Sequence, residues 1–172
     1  LLEMMDEFGL NALEGIGDHI IETSNSAMLE EIRKLPFGRY ENDMEVDGHE
    51  SPVLIKATMD IGQDGIDVDL DGTSGMSPYG INVPITYTQA YASFGIRCVV
   101  GNDIPNNTGS LAPIRITAPE GCIMNAPRPA AVTVRHVLGQ MLPDVVLGCL
   151  DKAKPGVAPA EGSSSLWNPM LS

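Results

Sequence analysis

Alternation of apolar and polar residues in the second quarter of the chain constrains the fold more than any other feature. Three runs with a period of two cover residues 40–46, 53–59 and 66–71. Asp47-Gly48 separates the first two runs, and Gly-Gln-Asp-Gly at 62–65 separates the last two. Alternating runs joined by Asp-Gly turns are a strong hairpin signal. The sequence therefore predicts an antiparallel β-meander with one face buried and the other polar.

Helical patterns flank this meander on both sides. Apolar residues recur three or four positions apart from Leu10 to Ile32, and Pro36 is expected to end that helix. A second helix is predicted to begin at Pro84, because proline is tolerated in a first turn. A third is predicted over residues 142–153, again with a proline near its start. The helices supply apolar faces that can cover the sheet.

These segments predict an α+β fold, in which an antiparallel β-meander packs against helices within a single domain. The expected divisions are an N-terminal helical segment at 1–36, an α+β core at 37–153 and a Pro/Gly/Ser-rich segment at 154–172. Further short strands are expected at 114–117 and 130–134. Loops rich in turn-forming residues are expected at 72–80 and 101–113.

Charge and cysteine content narrow the function classes. The formal net charge of −13 in 172 residues disfavours binding to nucleic acid or to an anionic membrane surface. Three widely spaced cysteines fit free thiols in a reducing cytoplasm better than a disulfide framework. No apolar run approaches the roughly 18 residues of a bilayer span. Since the first residue is Leu1 and not an initiator Met, we expect a trimmed piece of a longer chain.

The aspartates at the end of the third run allow three interpretations. Asp67, Asp69 and Asp71 with Gly72 resemble the start of a calcium loop, but the twelfth position is Pro78 where such a loop needs a Glu. A solvated strand face is therefore preferred to a calcium site. Alternatively, acidic and hydroxyl side chains at the strand end line a ligand cleft: Asp69, Asp71, Thr73 and Ser74.

Other chemistry-bearing patterns are sparse. The segment from Ile104 to Gly109 is dense in turn formers, and we weigh a structural loop against a ligand loop there. His136 has no second His or Cys at ligand spacing, so no metal site is predicted, and His19 and His49 are expected at the surface. Neither a phosphate-binding loop nor a serine nucleophile elbow is present, and no catalytic residue is assigned.

Several segments in order resemble the hydantoinase B / 5-oxoprolinase family, which includes N-methylhydantoinase B and the alpha-type subunit of acetone carboxylase. Asp-Leu-Asp-Gly-Thr-Ser at 69–74 and Gly-Ile-Asn-Val-Pro at 80–84 resemble the family's D-x-x-G-T-S … G-x-x-N stretch. The segments 103–109 and 119–132 continue the likeness in the same order. Gly-Met-Ser at 75–77 departs from the Gln-rich continuation expected after the Thr-Ser pair.

This resemblance implies one subunit of an ATP-dependent amidohydrolase that opens a cyclic amide such as N-methylhydantoin, hydantoin or 5-oxoproline. It implies a hetero-oligomer with a hydantoinase A-type partner that binds ATP, and ATP and a divalent metal for the whole complex. No metal ligand is carried over to this chain, and the fragment alone is expected to be inactive. The alternatives are a fragment of an ATP-dependent ketone carboxylase of the acetone or acetophenone type, and a non-catalytic assembly module.

The resemblance also suggests substrate-binding residues: Asp69, Asp71, Thr73, Ser74, Asn82, Asn107, Gly109 and Arg128. Thr73, Ser74 and Asn107 are expected to donate hydrogen bonds near the substrate, and Arg128 to contact an anion. The alternative for each is scaffolding of its loop. On the first interpretation, the Thr73–Ser74 loop and the Asn107–Gly109 loop form one wall of a shared pocket.

Overall fold

A four-stranded sheet forms the centre of the fold in the computed structural model, which describes residues 2–9 and 12–160. The strands lie in chain order: β1 (Gly38–Val46), β2 (Val53–Gly62), β3 (Gly65–Asp69) and β4 (Ile114–Thr117). The first three are antiparallel, which confirms the predicted meander. β4 was predicted as a strand, but it runs parallel to β3, so the sheet is mixed.

The two faces of the sheet differ in polarity as the alternation predicts. Along β2, buried side chains alternate with half-buried ones, and Ala57 and Met59 are fully buried. The opposite face carries three exposed ion pairs, Arg39–Asp60, Lys56–Glu41 and Arg115–Asp67. Exposed pairs of this kind contribute at most about 1 kcal/mol each. Burial of the apolar face therefore stabilises the sheet far more than the charges do.

Six helices complete the described fold: α1 (Leu2–Glu7), α2 (Glu14–Ile32), α3 (Ile85–Arg97), α4 (Thr108–Leu111), α5 (His136–Gly139) and α6 (Leu142–Ala153). α3 and α6 pack against each other and against the sheet. Their close approach requires Gly95, since a Cβ there would lie 2.6 Å from the Cα of Pro143. Met28 and Ile32 on α2 are fully buried and extend the core.

Most of the predicted elements are confirmed, with two corrections. The helix after Pro84 and the helix at 142–153 are present. The first long helix begins at Glu14, and Leu10, where it was predicted to begin, lies outside the described residues. The strand predicted at 130–134 is wrong: residues 130–132 have no regular structure, 133 and 134 lie in a turn, and the Val134 N–H donates to the Gly80 carbonyl outside any strand. The predicted loop at 101–113 contains α4, a helix of four residues that is too short to show a helical pattern in the sequence.

The C-terminal segment predicted at 154–172 is described only as far as residue 160. None of the helices within the described residues has both the length and the hydropathy of a bilayer span.

Candidate functional site

The loop after β3 is built by hydroxyl groups that continue the hydrogen bonding of the sheet. β3 pairs with β2 only from Thr58 to Gly62, so residues 53–57 of β2 have no β3 partner along that edge. The Thr73 hydroxyl accepts the Lys56 N–H at 3.1 Å and donates to the Lys56 carbonyl at 3.2 Å. Ser74 Oγ accepts the Leu54 N–H at 2.9 Å, and the Ser74 N–H donates to the Leu54 carbonyl. The Thr-Ser pair thus satisfies main-chain groups that would otherwise be unpaired.

Asn82 holds the next part of this loop from the inside. Its side chain is 1% exposed. Oδ1 accepts the Ser77 N–H at 2.8 Å, and Nδ2 donates to the carbonyls of Ser77, Tyr79 and Ala131 at 2.8–2.9 Å. One buried amide therefore ties three chain segments together. Such a side chain fixes the shape of the loop and is not free to bind a ligand.

Three of the four segments that carry the family resemblance converge around this loop. The Ile123 N–H donates to the Ser74 carbonyl at 2.8 Å, and the Val83 N–H donates to the Ile123 carbonyl at 2.8 Å. Gly75 and Cys122 form an isolated antiparallel bridge. Segments 69–74, 80–84 and 119–132 are thus neighbours in space, although up to about 50 residues separate them in sequence.

A cleft of about 320 Å³ opens beside these segments and presents acid–base groups. The His49 ring stacks on Tyr79 with centroids 3.9 Å apart. The Tyr79 hydroxyl donates to the Glu50 carboxylate at 2.6 Å, and this bond together with burial raises the pKa of the phenol. Ser74 and Ser77 also line the cleft. Its volume suits a small ring compound, and imidazole, carboxylate and phenol can all bond an amide.

Sequence reasoning missed His49, Glu50 and Tyr79 as candidates. His49 was expected to be a surface residue, and Tyr79 lies 30 residues further along the chain. The β1–β2 hairpin brings His49 and Glu50 to the loop that carries Tyr79. Only the tertiary fold shows this contact, since no local spacing connects the two segments.

The two predicted aspartates lie at the polar edge of this region. Asp69 and Asp71 are both exposed. Asp69 Oδ1 accepts the Asp71 N–H at 3.1 Å, which is the geometry of an Asx turn. Neither aspartate lines the cleft. Their role in substrate binding stays a prediction, and the Asx turn already gives the Asp69 side chain a structural role.

The Asn107–Gly109 loop serves to dock α4 on α2. Asn107 caps α4: its Oδ1 accepts the Ser110 N–H at 3.1 Å, while Nδ2 donates to Ser24 Oγ at 2.8 Å. Gly109 is buried, and a Cβ there would lie 2.0 Å from the Ile21 carbonyl oxygen. Asn25 donates to the Gly109 carbonyl at 3.1 Å. The Asn and the Gly are both explained by this close helix contact.

The two loops do not share a pocket, so that part of the prediction is wrong. The Ile66 N–H donates to the Pro113 carbonyl, which places α4 at the start of β3. The Thr73–Ser74 loop follows the end of β3 and pairs with β2 at Lys56. From Gly62, beside the start of β3, to Lys56 is about 20 Å along β2 at about 3.3 Å per residue. The two loops therefore lie at opposite ends of β3.

Arg128 is exposed, and its side chain makes no hydrogen bond or ion pair with the described residues. It is available to contact an anion, as predicted, but nothing in its surroundings selects one. Within residues 2–9 and 12–160, no three His, Cys, Asp or Glu side chains converge as a metal site requires. The described residues therefore do not fit a bound divalent metal.

A larger groove of about 560 Å³ runs along α3 between Phe94, Arg97 and Asn106. Arg97 is the cation in its wall, but the guanidinium donates to the carbonyls of Val100, Gly101 and Ile104. Burial lowers the pKa of Arg97. Because its charge is already engaged with main-chain carbonyls, the groove has no free charged group with which to orient a ligand. The cleft at Tyr79 is the stronger candidate.

Comparison with known proteins identifies the family. The sequence profile described as hydantoinase B/oxoprolinase matches residues 1–172, the whole chain. The chain belongs to the hydantoinase B/oxoprolinase family. This result confirms the resemblance found in the sequence.

Relatives place this hydantoinase B-type chain within larger proteins. It is 27% identical to the putative B-type subunit of a D-/L-hydantoinase from Pseudomonas sp. (strain NS671), over 97% of this chain and 30% of that protein. It is 28% identical to 5-oxoprolinase 1 from Arabidopsis thaliana, over 84% of this chain and 13% of that protein. The chain thus spans less than a third of the length of either relative.

A solved structure supports the fold. The ATP-dependent caprolactamase from Pseudomonas jessenii superposes with a TM-score of 0.78 at 24% identity. The match covers 90% of this chain and 27% of the caprolactamase chain. At this level of identity the likeness shows a shared α+β fold and no more.

Proposed function

We propose that this chain is part of an enzyme that opens a cyclic amide at the expense of ATP. The family match over all 172 residues carries the proposal. Two relatives are named for hydantoin and 5-oxoproline, which are both five-membered cyclic amides, and the structural neighbour is an ATP-dependent caprolactamase. The chain would then contribute one domain of a longer hydantoinase B-type subunit.

Coupling to ATP has a chemical reason. The amide of an unstrained five-membered ring is resonance-stabilised and resists attack by water. Phosphorylation of the amide oxygen by ATP makes the ring carbon electrophilic, so that water adds to it and the C–N bond breaks as the ring nitrogen leaves with a proton. A second water then hydrolyses the acyl phosphate to carboxylate and phosphate. The sequence contains no phosphate-binding loop. We therefore assign ATP binding and phosphorylation to a hydantoinase A-type partner, and completion of the reaction to the B-type subunit.

The contribution of the described residues is substrate binding at the cleft of Tyr79. A cyclic amide offers one N–H donor and one carbonyl acceptor on the same ring edge. Glu50 can accept that N–H, and the Tyr79 hydroxyl can donate to the carbonyl once the substrate replaces the hydrogen bond that it makes to Glu50 at 2.6 Å. The divalent metal implied for the complex has no ligand set among these residues. No step is assigned to it here.

Reconstitution of the full subunit with an A-type partner tests the proposal. Each of hydantoin, 5-oxoproline and acetone with bicarbonate is incubated with the complex, ATP and Mg²⁺, and the products and ADP are measured. Ring opening of a cyclic amide with stoichiometric ADP release is expected. Bicarbonate-dependent carboxylation of acetone without ring opening would contradict the proposal and favour a ketone carboxylase. Partner binding without any turnover would favour an assembly module.

A matched pair of variants tests the cleft itself in that complex. Tyr79→Phe removes the hydroxyl at the cleft. Tyr40→Phe removes a hydroxyl on β1 that donates to the Pro36 carbonyl, outside the cleft. We expect kcat/KM for the cyclic amide to fall about tenfold in Tyr79→Phe, which corresponds to one hydrogen bond to a polar group. Tyr40→Phe is expected to leave it unchanged. Equal activity of both variants would remove the cleft from the binding site.

A further inference from the structure

Strand β1 forms one edge of the sheet, and its outer side pairs with no strand of the described fold. The strand order is β1-β2-β3-β4, so among the described strands only β2 is hydrogen-bonded to β1. β1 is nine residues long and has no proline, and its register with β2 runs from Gly38 to Val46 without a bulge. A long, regular edge of this kind presents a row of main-chain donors and acceptors to which another strand can bind.

The register of the sheet shows which main-chain groups of β1 face outward. On β2, Leu54 and Lys56 direct both N–H and C=O to the loop at 73–74, away from β1. Two opposite residues of an antiparallel ladder exchange both bonds or neither. The residues opposite them on β1 are Glu45 and Asp43. The N–H and C=O groups of Glu45 and Asp43 therefore point to the free edge, and no described residue bonds to them there.

Lys152 occupies the free edge at Glu41. Its ammonium donates to the Glu41 carbonyl and to Asn42 Oδ1. A lysine placed along a sheet edge opposes the addition of a further strand. The open part of the edge is therefore the stretch at 42–46, which we name the β1 edge. It offers the N–H and C=O groups of Asp43 and of Glu45.

The side chains of the β1 edge indicate which strand fits it. Asp43 and Glu45 are exposed on the polar face, and neither has an ion-pair partner among the described residues. On the opposite face, Met44 and Val46 are half-buried and pack against the core. An added strand would place its side chains opposite these residues on the same faces, with Cβ atoms about 4.5–5.5 Å away. Positions opposite the two acids therefore favour Lys or Arg, and the positions between them favour apolar residues.

We propose that the β1 edge binds an extended segment of a partner protein in which Lys or Arg alternates with apolar residues. The segment adds to the sheet as a further strand: its main chain bonds Asp43 and Glu45, and its cations pair with their carboxylates. A second copy of this chain is a poor occupant. The edge-facing residues at 41, 43 and 45 are all acids, so self-pairing over this stretch would set acid opposite acid. Residues 161–172 contain no Lys or Arg and cannot supply the cations.

Short synthetic strands serve as the probe, with the full 172-residue chain as the receptor. A fluorescein-labelled peptide of about eight residues, the length of an ordinary strand, alternates Lys with Val. Its control contains the same Lys and Val residues in two separate blocks, which keeps the charge and removes the alternation. Fluorescence anisotropy gives the dissociation constants. We expect the alternating peptide to bind at least tenfold more tightly than the block peptide.

A pair of N-methylated peptides separates strand addition from attraction between charges. Both have the alternating sequence, but one carries N-methyl groups on the main chain of its Lys residues and the other on that of its Val residues. The two peptides have the same charge and lack donors on opposite sides of the strand. In antiparallel addition the Lys main chain bonds β1, so the N-methyl-Lys peptide should bind at least tenfold more weakly than the other; in parallel addition the order is reversed. Equal binding of the two would contradict strand addition.

Substitutions at Asp43 separate the role of its main chain from that of its charge. Asp43→Pro and Asp43→Asn both remove one negative charge, but only Asp43→Pro also removes the edge-facing N–H. Proline is tolerated on an edge strand where the N–H makes no ladder bond. We expect at least tenfold weaker binding of the alternating peptide in Asp43→Pro and at most severalfold weaker binding in Asp43→Asn. Glu30→Gln removes one charge from an exposed site on α2 and should leave binding unchanged.

Three further results would overturn the proposal. The first is unchanged binding by Asp43→Pro when circular dichroism shows it folded; if that variant unfolds, the N-methylated peptides decide. The second is dimerisation of the chain alone, seen by sedimentation velocity at micromolar concentration and abolished by Asp43→Pro, since a second copy would then cover the edge. The third is failure of the longer subunit to bind the alternating peptide, since its own chain would then cover the edge. None of these results bears on the proposed ring-opening activity, which is measured separately.

Discussion

Asn82 offers the sharpest test of how the candidate site is built. Its amide makes four hydrogen bonds at 2.8–2.9 Å and is 1% exposed. The change Asn82→Ala deletes all four bonds at once. It leaves the Ser77 N–H and the carbonyls of Ser77, Tyr79 and Ala131 without their partner. The loop that carries Tyr79 would lose one of the links that hold it against the 119–132 segment.

The expected loss of stability follows from these contacts. The Nδ2 group has two hydrogens for three carbonyls, so one is shared and the four contacts amount to about three hydrogen bonds. At about 1 kcal/mol net for each bond, the upper figure is about 3 kcal/mol. Ser77 and Tyr79 are only half-buried, so water can reach some of the released groups and reduce that figure. We expect Asn82→Ala to lower the free energy of unfolding by about 2–3 kcal/mol. This is a large share of the roughly 5–15 kcal/mol that stabilises a domain.

Urea unfolding followed by circular dichroism measures the change, with Asn102→Ala as the control. Asn102 is exposed, and its side chain makes no hydrogen bond with the described residues. Its replacement is expected to cost under about 0.5 kcal/mol. Amide exchange provides a local measurement, since the Ser77 N–H should exchange at least tenfold faster in Asn82→Ala. A loss below about 1 kcal/mol with unchanged Ser77 exchange would refute the assigned role.

Three further predictions concern other parts of the chain. Gly109→Ala should destabilise the fold by about 1–3 kcal/mol in urea unfolding, because its Cβ would overlap the Ile21 carbonyl; Gly75→Ala, with nothing within 4 Å of its Cβ, should change little. In the native chain a thiol reagent should label the exposed Cys98 alone, and the two buried cysteines should react only after unfolding. Burial raises the pKa of Cys149 to about 11, so as the pH rises the thiol of the unfolded chain ionises before that of the folded chain. The free energy of unfolding should therefore fall between pH 9 and 11 by at most about 1.4 kcal/mol per pH unit. The Cys149→Ala variant should show a shallower fall.

The sequence predicted the meander well because its signal is local. Period-two alternation, Asp-Gly turns and strand length all act within the 32 residues from 38 to 69, and each indicates the same hairpins. The placement of β4 was not predictable in this way. β4 pairs with β3 across 48 residues of sequence, and α3 lies between the two strands. Alternation predicts that a segment is a strand, but it does not predict the partner strand or the direction of pairing. Ala130 to Val134 has strand composition but no strand edge beside it to pair with.

The candidate site was only partly predictable for a related physical reason. The motif residues Ser74 and Asn82 contact the 119–132 segment, whereas the pocket predicted between the Thr73–Ser74 and Asn107–Gly109 loops is absent. The polar atoms of the motif residues, however, bind main-chain groups and shape the loop. The cleft groups that do not bind main-chain atoms come from His49, Glu50 and Tyr79, and only the hairpin brings these together. Residue type indicates which atoms can bond, but the fold determines whether those atoms are already satisfied.

This distinction changes how substitutions in the motif should be interpreted. When a residue that binds substrate directly is replaced, the enzyme loses the activity that depends on that one contact, and the free energy of unfolding is unchanged. A residue such as Asn82, whose bonds are all internal, can alter activity only through the position of Tyr79, so stability and activity must fall together. Thr73→Val is a second case, since it keeps the shape of the side chain but deletes both bonds to Lys56. Loss of activity at full stability in Thr73→Val would show that its hydroxyl leaves the sheet to contact the substrate.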